Sequence, residues 1–270
     1  MPNLIDATEL KIGSTSVSRA YLGSTRVWPL WSPSEISTVF WYDPSDASTI
    51  TASGTEVTQV LDKSGNNRTL TRDGANPGPL TGTRTLNGRN VFAWTGNNCL
   101  DNNSFTYSQS TTPLNIAIIA RFDAASPAGS FLLAGTTSSA LGQRMSLRVN
   151  ASSIFEILGG SNAGVNQPFP ASIISNRDQA YLLLPRFNAA SSTWRVNGTQ
   201  TNSGNVGTNS FTTMQFGHNE TEGLDMTGFI AEIVAFASNS NAEIVEGYLA
   251  WKWGLQSSLP AGHPYKNSAP

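Results

Sequence analysis

The chain has 270 residues, a formal net charge of −2 and only 13% Asp, Glu, Lys and Arg, about half of the ~25% found in ordinary soluble domains. Such a balance excludes a general electrostatic grip on nucleic acid, which needs basic stripes, and it leaves few of the residues that favour helices. No run of about 18 apolar residues occurs, so no membrane-spanning helix is expected, and the single cysteine, Cys99, excludes an intramolecular disulfide framework.

Residues 1–30 read as a small β module. Leu10-Lys11-Ile12, Val17–Leu22 and Arg26-Val27-Trp28 are β-prone runs punctuated by Gly13-Ser14 and Gly23-Ser24, which predicts a three-stranded meander. Three such strands bury too little surface to be stable alone and need a partner. The opening segment MPNLIDATEL has no basic stretch followed by an apolar run, so it is not expected to be a secretory signal peptide. Pro29 and Pro33 bracket a connector, and residues 31–270 then run on without a composition break.

In that second region Ser37–Tyr42 is dense in β-branched and aromatic residues, and Leu114–Ala120 is mostly apolar, as expected of a core strand. Val91–Trp94, Phe131–Ala134, Met145–Val149, Ile154–Leu158, Tyr181–Arg186, Thr193–Val196, Phe211–Phe216 and Phe229–Phe236 are further strand candidates. Polar turns separate them. The pattern predicts an all-β, two-sheet jelly-roll sandwich. One helix is expected near the end, opened by a capping box at Ser240-Asn241-Ala242-Glu243 and released at Gly254. Trp251 and Trp253 fall on nearly opposite sides of it, so one must leave the main packing face.

Little in the sequence can build an active site. Glycosidases need two carboxylates flanking the scissile bond. Glu220, Glu222 and Asp225 are the nearest approach, but Gly223 interrupts them and they read as a solvated loop. There are two histidines, His218 and His263; no nucleophile elbow and no zinc spacing are present. Calcium is the more reasonable metal, because it takes loop oxygens, and Asp43, Asp46, Asp62 and Asn66 are the candidates. The competing reading is an Asx-type turn in which Asp62 and Asn66 bond their own backbone. Sugar recognition needs an aromatic platform with amides beside it. Trp94 with Asn97 and Asn98 has that make-up, followed by Trp194 and by His218 with Asn219; burial between sheets is the competing reading for both tryptophans.

Two groups of motifs carry a family resemblance. Trp41-Tyr42-Asp43-Pro44-Ser45-Asp46, Asp62–Asn67 and Leu86-Asn87-Gly88-Arg89 form one group. The other is Ile230-Ala231-Glu232-Ile233-Val234 with Glu246–Leu255 and His263-Pro264-Tyr265. Together they resemble a concanavalin A-like, laminin-G-like jelly-roll domain of the kind common in bacterial and phage surface proteins. The resemblance implies two curved antiparallel sheets and often sugar or cell-surface binding. Ala20–Pro29 is similar to the small β module that opens many phage virion proteins, with Tyr21, Leu22, Val27 and Trp28 as the implied docking residues.

These resemblances imply a non-enzymatic virion protein, assembled in the host cytoplasm and released by lysis. It would be a tail or head fibre or appendage whose jelly roll meets host glycans. Its expected partners are other capsid or tail proteins and copies of itself, a trimer being usual for fibres. The alternatives are a capsid decoration protein, a polysaccharide-degrading glycoside hydrolase and a bacterial surface adhesin.

Overall fold

A computed structural model describes residues 31–74, 76–124, 126, 130–136, 145–149, 155–159, 167–168, 177–218 and 225–270, with 11–12, 14–16, 20–22 and 25–28 of the N-terminal stretch. The second region is an all-β sandwich carrying one α-helix among the described residues. One sheet has seven antiparallel strands, ordered Phe92–Thr95, Thr227–Phe236, Leu114–Phe122, Tyr181–Phe187, Ser192–Val196 and Thr199–Gly204. Thr38–Tyr42 pairs with the second half of Thr227–Phe236, end to end with Phe92–Thr95. The other sheet has nine strands, ordered Gln167–Pro168, Phe155–Gly159, Met145–Val149, Phe131–Ala134, Met214–Phe216, Leu100–Asn102, Leu70–Thr71, Glu56–Val60 and Ile50–Ser53.

Two cores explain why the central strands are apolar throughout. Phe40, Tyr42, Ile118, Leu147 and Phe216 pack between the sheets. Trp41, Ile119, Val234, Val245, Leu249 and Trp253 pack between the seven-stranded sheet and helix α1, Ala242–Lys252. A strand covered on both faces has no polar side to show, so it reads as a continuous apolar run. Thr38–Tyr42 serves both cores by alternation, Phe40 and Tyr42 pointing one way and Trp41 the other.

The structure departs from expectation in four places. No capping box opens α1. The turn Asn239–Asn241 leads into it, the backbone N–H of Ala242 donates to Asn239 O, and the Ser240 hydroxyl pairs with Ser238 at 2.7 Å. The Ala242 donor is thus met by a backbone acceptor, and no side chain caps the helix. Phe211–Phe216 is two strands: Ser210–Phe211 pairs with Tyr107–Ser108, and Met214–Phe216 joins the nine-stranded sheet. Among the described residues of the N-terminal stretch, where the sequence predicts a three-stranded meander, two hairpin pairings are seen, Lys11–Ile12 with Thr15–Ser16 and Ala20–Leu22 with Thr25–Trp28. Each closes on its own nearest neighbour, which is the shortest connection available. Finally, Ile50–Ser53 and Thr199–Gly204 are strands that no apolar pattern announces; both are edge strands with polar, largely exposed residues.

Helix α1 ends where Gly254 takes φ +74°, and the C-terminal tail folds back over it. Trp253 is fully buried beneath the helix, whereas Trp251 is half-buried and donates its indole N–H to Tyr265 O at 2.8 Å. The tail approaches so closely that a Cβ on Gly247 would lie 2.6 Å from Tyr265. Gly247→Ala should therefore destabilise the fold by about 1–3 kcal/mol through overpacking, outweighing the ~1 kcal/mol that alanine gains in a free helix. Urea unfolding of the two proteins reads the sign.

Candidate functional site

Residues paired directly across antiparallel strands share a sheet face. In the nine-stranded sheet Leu100, Phe216, Leu133, Leu147 and Ile157 form such a row, and all five enter the inter-sheet core. The adjoining row, Asp101, Gln215, Ala134 and Ser146, must face away from the sandwich. It is polar on either side of a small residue. Thr213 Oγ1 donates to Asn103 Oδ1 at 2.7 Å, and Asn103 Nδ2 donates to Asp101 Oδ2 at 3.0 Å; Asn103 itself is exposed. Gln215 is fully buried, yet neither atom of its amide has a hydrogen-bond partner, and the Ser146 hydroxyl has none either. Each such group costs about 1–3 kcal/mol.

A second polar cluster lies just beyond Phe216. Asp225 accepts from the backbone N–H of Asn97 at 3.1 Å through Oδ2, and its Oδ1 pairs with His218 Nδ1. Asn97 is exposed with φ +58°, whereas His218 is buried. Fold topology thus brings Asn97 to His218 and Asp225, although Asn97 lies 128 residues from Asp225 in sequence. Asn219, Glu220 and Glu222 lie outside the described residues.

Both tryptophans proposed as sugar platforms are enclosed. Trp94 is 1% exposed and packs so tightly on Gly217 that a Cβ there would sit 1.8 Å from its Nε1; Gly217 accordingly holds φ +78°. Trp194 is 0% exposed, in the Ser192–Val196 strand next to the edge of the seven-stranded sheet. Neither presents a ring face to a ligand, because each is needed to fill the inter-sheet core. Asn98 is also consumed structurally: its Oδ1 accepts from Thr95 N and Oγ1, and its Nδ2 donates to Gly78 O.

The calcium candidates do not form a cation site, because protein donors occupy their oxygens. Asp62 Oδ1 accepts from the backbone N–H groups of Trp41 and Ser64, and Oδ2 from Ser64 Oγ and the Arg68 N–H. Asn66 Nδ2 donates to Thr38 O and Val39 O. Asp46 caps the turn at Ser48 and holds Lys63 at 2.6 Å, while Asp43 binds Lys63 at 3.2 Å and Lys252 at 2.7 Å. Lysine ammonium groups therefore stand where a metal would. Among the described residues no group of three or more His, Cys, Asp or Glu side chains could hold a metal ion, and no helix is long and apolar enough to cross a membrane.

The residues that the sequence reading gave no role are two buried glutamates. Glu232 lies in the middle of Thr227–Phe236 and is 0% exposed. Its Oε1 accepts from Trp41 Nε1 at 2.7 Å and Tyr248 OH at 2.9 Å. Its Oε2 accepts from Trp253 Nε1 at 2.7 Å and pairs with Lys252 Nζ at 2.8 Å. Burial pushes its pKa up, with Lys252 opposing. Burial also pushes Asp43 up, but Lys252 and Ser45 outweigh it and hold that carboxyl low. Glu246, equally buried on α1, receives a two-pronged bond from Arg195, Nε and Nη2 each at 2.8 Å. His263 Nδ1 accepts from the Tyr265 N–H, so in the neutral ring the proton sits on Nε2, which faces Glu246 Oε2 at 3.3 Å. The signal was available in sequence: a lone Glu inside the apolar run Ile230–Val234 must have partners, because an unpaired buried charge is costly.

No family model and no curated protein matches the sequence. Solved structures do match the fold. Domain 4 of AbnA, a GH43 extracellular arabinanase from Geobacillus stearothermophilus in complex with arabinotriose, is 12% identical with a TM-score of 0.53, over 74% of this chain and 92% of that one. A GH54 α-l-arabinofuranosidase soaked with a cyclic sulfate inhibitor is 15% identical with a TM-score of 0.52, over 71% of this chain and 50% of that one. The chain thus spans about half the length of the arabinofuranosidase. At these identities the likeness establishes the β-sandwich.

Two outcomes test the assignment of the loop carboxylates. Asp62→Ala should destabilise by at least about 1–3 kcal/mol, since backbone donors lose their acceptor, and melting temperatures should be the same in calcium and in chelator. Lys63, then Ser48, hold the Asp46 pKa down to about 2 from 3.8. A depressed carboxyl pKa gives stability that is present above the unfolded value and lost as pH falls through the folded one. The stability gap between the wild type and Asp46→Asn should therefore close on acidification from about pH 5 to about pH 2, followed by thermal melts.

Proposed function

We propose that the chain is a non-enzymatic glycan-contacting module of a phage virion appendage. The observation that carries the glycan reading is the likeness of the fold to an arabinanase domain solved with arabinotriose bound. The exposed amides of Asn97 and Asn103, on either side of the Leu100–Asn102 strand, are the polar groups a ligand could meet; Gln215 and Ser146, 0% and 1% exposed, do not reach one. An amide offers both a donor and an acceptor, which suits the hydroxyls of a neutral sugar. The near-neutral, charge-poor composition points to the same class of ligand.

The virion placement rests on the likeness of Ala20–Pro29 to virion β modules. The Ala20–Leu22 and Thr25–Trp28 hairpin, which carries Tyr21, Leu22, Val27 and Trp28, would dock to capsid or tail proteins or to sister chains. Absence of catalysis is inferred from the acids themselves: Glu232, Glu246, Asp43, Asp46 and Asp62 are all committed to protein donors. Likeness to an arabinofuranosidase keeps a glycoside hydrolase as the second reading.

A neutral oligosaccharide array that includes arabinotriose tests the reading. Binding by the wild type is expected, with at least about tenfold loss in Asn97→Ala or Asn103→Ala, an energy of about 1.4 kcal/mol. The melting temperature of Gln215→Leu should stay level or rise, because an orphaned amide is replaced by an apolar group. No binding at all overturns the glycan reading, and release of reducing sugar establishes the hydrolase. Mass spectrometry of purified virions should find the chain; its consistent absence overturns the virion placement.

A further inference from the structure

Lys252 is held between two carboxylates, Asp43 and Glu232, with Lys63 also reaching Asp43 Oδ2 at 3.2 Å. The Lys252 Nζ lies 2.7 Å from Asp43 Oδ2 and 2.8 Å from Glu232 Oε2. Glu232 is fully enclosed, Asp43 is 4% exposed, and the lysine nitrogen sits 5.5 Å and 5.4 Å from the ring centres of Tyr248 and Trp253. The far oxygen of Asp43, Oδ1, accepts from Ser45 N at 3.1 Å and Ser45 Oγ at 2.6 Å. An amine, a carboxyl and a second carboxyl that can relay protons are thus held together in an aromatic, nearly dry pocket. We propose that Lys252 and Asp43 condense to an intramolecular isopeptide bond, with Glu232 as the proton relay.

The step balances without any co-reactant. Lys252 passes a proton to Asp43 Oδ2, 2.7 Å away, so that a neutral amine faces a neutral carboxyl, and the freed nitrogen lone pair attacks Asp43 Cγ. As the C–N bond forms, charge collects on Oδ1, where the two Ser45 donors hold it, as in an oxyanion hole, and Glu232 takes a second proton from Nζ. Glu232 delivers that proton to Oδ2, and the Cγ–Oδ2 bond breaks with its electron pair leaving as water. An ammonium and a carboxylate become one neutral amide and one water, and Glu232 ends as it began. Nothing is oxidised or reduced. The driving force is local: the paired charges of Lys252 and Asp43 are costly in a desolvated pocket and the amide removes them, while Glu232 keeps its three neutral donors, Trp41, Tyr248 and Trp253. Burial favours a protonated Glu232 in mid-reaction.

The bond would tie the Thr38–Tyr42 strand to the last turn of α1 across 209 residues of sequence. A covalent tie over so long a loop restricts the unfolded chain strongly, and it would do so in a protein whose only cysteine can form no internal disulfide.

Intact mass of the denatured full-length protein decides the matter. The expected mass is that of the sequence less one water, with a digest showing the Asp43 and Lys252 peptides joined. Pro44 follows Asp43 and has no N–H, so Asp43 cannot lose water as a succinimide. Glu232→Gln and Lys252→Arg should both recover the full sequence mass. A wild type at full mass, with Lys252 open to amine acylation after denaturation, overturns the proposal. So does water loss that maps to Lys63 instead. The wild-type measurement stands alone if a variant fails to fold.

Discussion

Glu232 is the constraint on which the rest of the molecule hangs. A carboxylate in the middle of a buried strand is tolerable only if every lone pair finds a donor, and four donors converge on it. They come from the Thr38–Tyr42 strand and from both sides of α1's last turn. Meeting this one electrostatic demand fixes where the first strand of the sandwich, its central strand and its helix sit relative to one another. Glu246 repeats the solution nearby. With Arg195 and His263 it ties the same helix to the Ser192–Val196 strand and to the tail.

The seven-stranded sheet spends its outer face on α1, and not every polar group there is paired: Asn115 Oδ1 and Arg186 Nε have no hydrogen-bond partner. The nine-stranded sheet carries Gln215 and Ser146, which are buried and likewise without partners. Unpaired buried polar groups therefore occur in both layers, and each costs about 1–3 kcal/mol.

Much of the fold was legible in the sequence. Apolar runs such as Leu114–Ala120 and Phe229–Phe236 announced core strands, and helix α1 lay where its apolar face suggested. Ile50–Ser53 and Thr199–Gly204 were hidden because edge strands exposed to water carry no apolar period. The site was less legible. Trp94 and Trp194 have the composition of sugar platforms, but a large ring is as useful for filling a core, and local sequence does not distinguish the two uses. Asp43, Asp46 and Asp62 resemble cation ligands for a similar reason: the partners that saturate them, Lys63 and Lys252 among them, come from elsewhere in the chain.

By itself the sequence determined the class of fold, because strand propensity and apolar runs are local properties and so few charged residues leave little alternative. It also determined how little acid and base chemistry is available. Tertiary structure decided the direction in which each side chain points and which distant groups meet. That choice turned two tryptophans inward, gave the loop acids to lysines, joined Asn97 to Asp225 and left Gln215 without a partner. Pairing across strands sets these outcomes, and pairing depends on contacts between residues more than 100 positions apart in the chain.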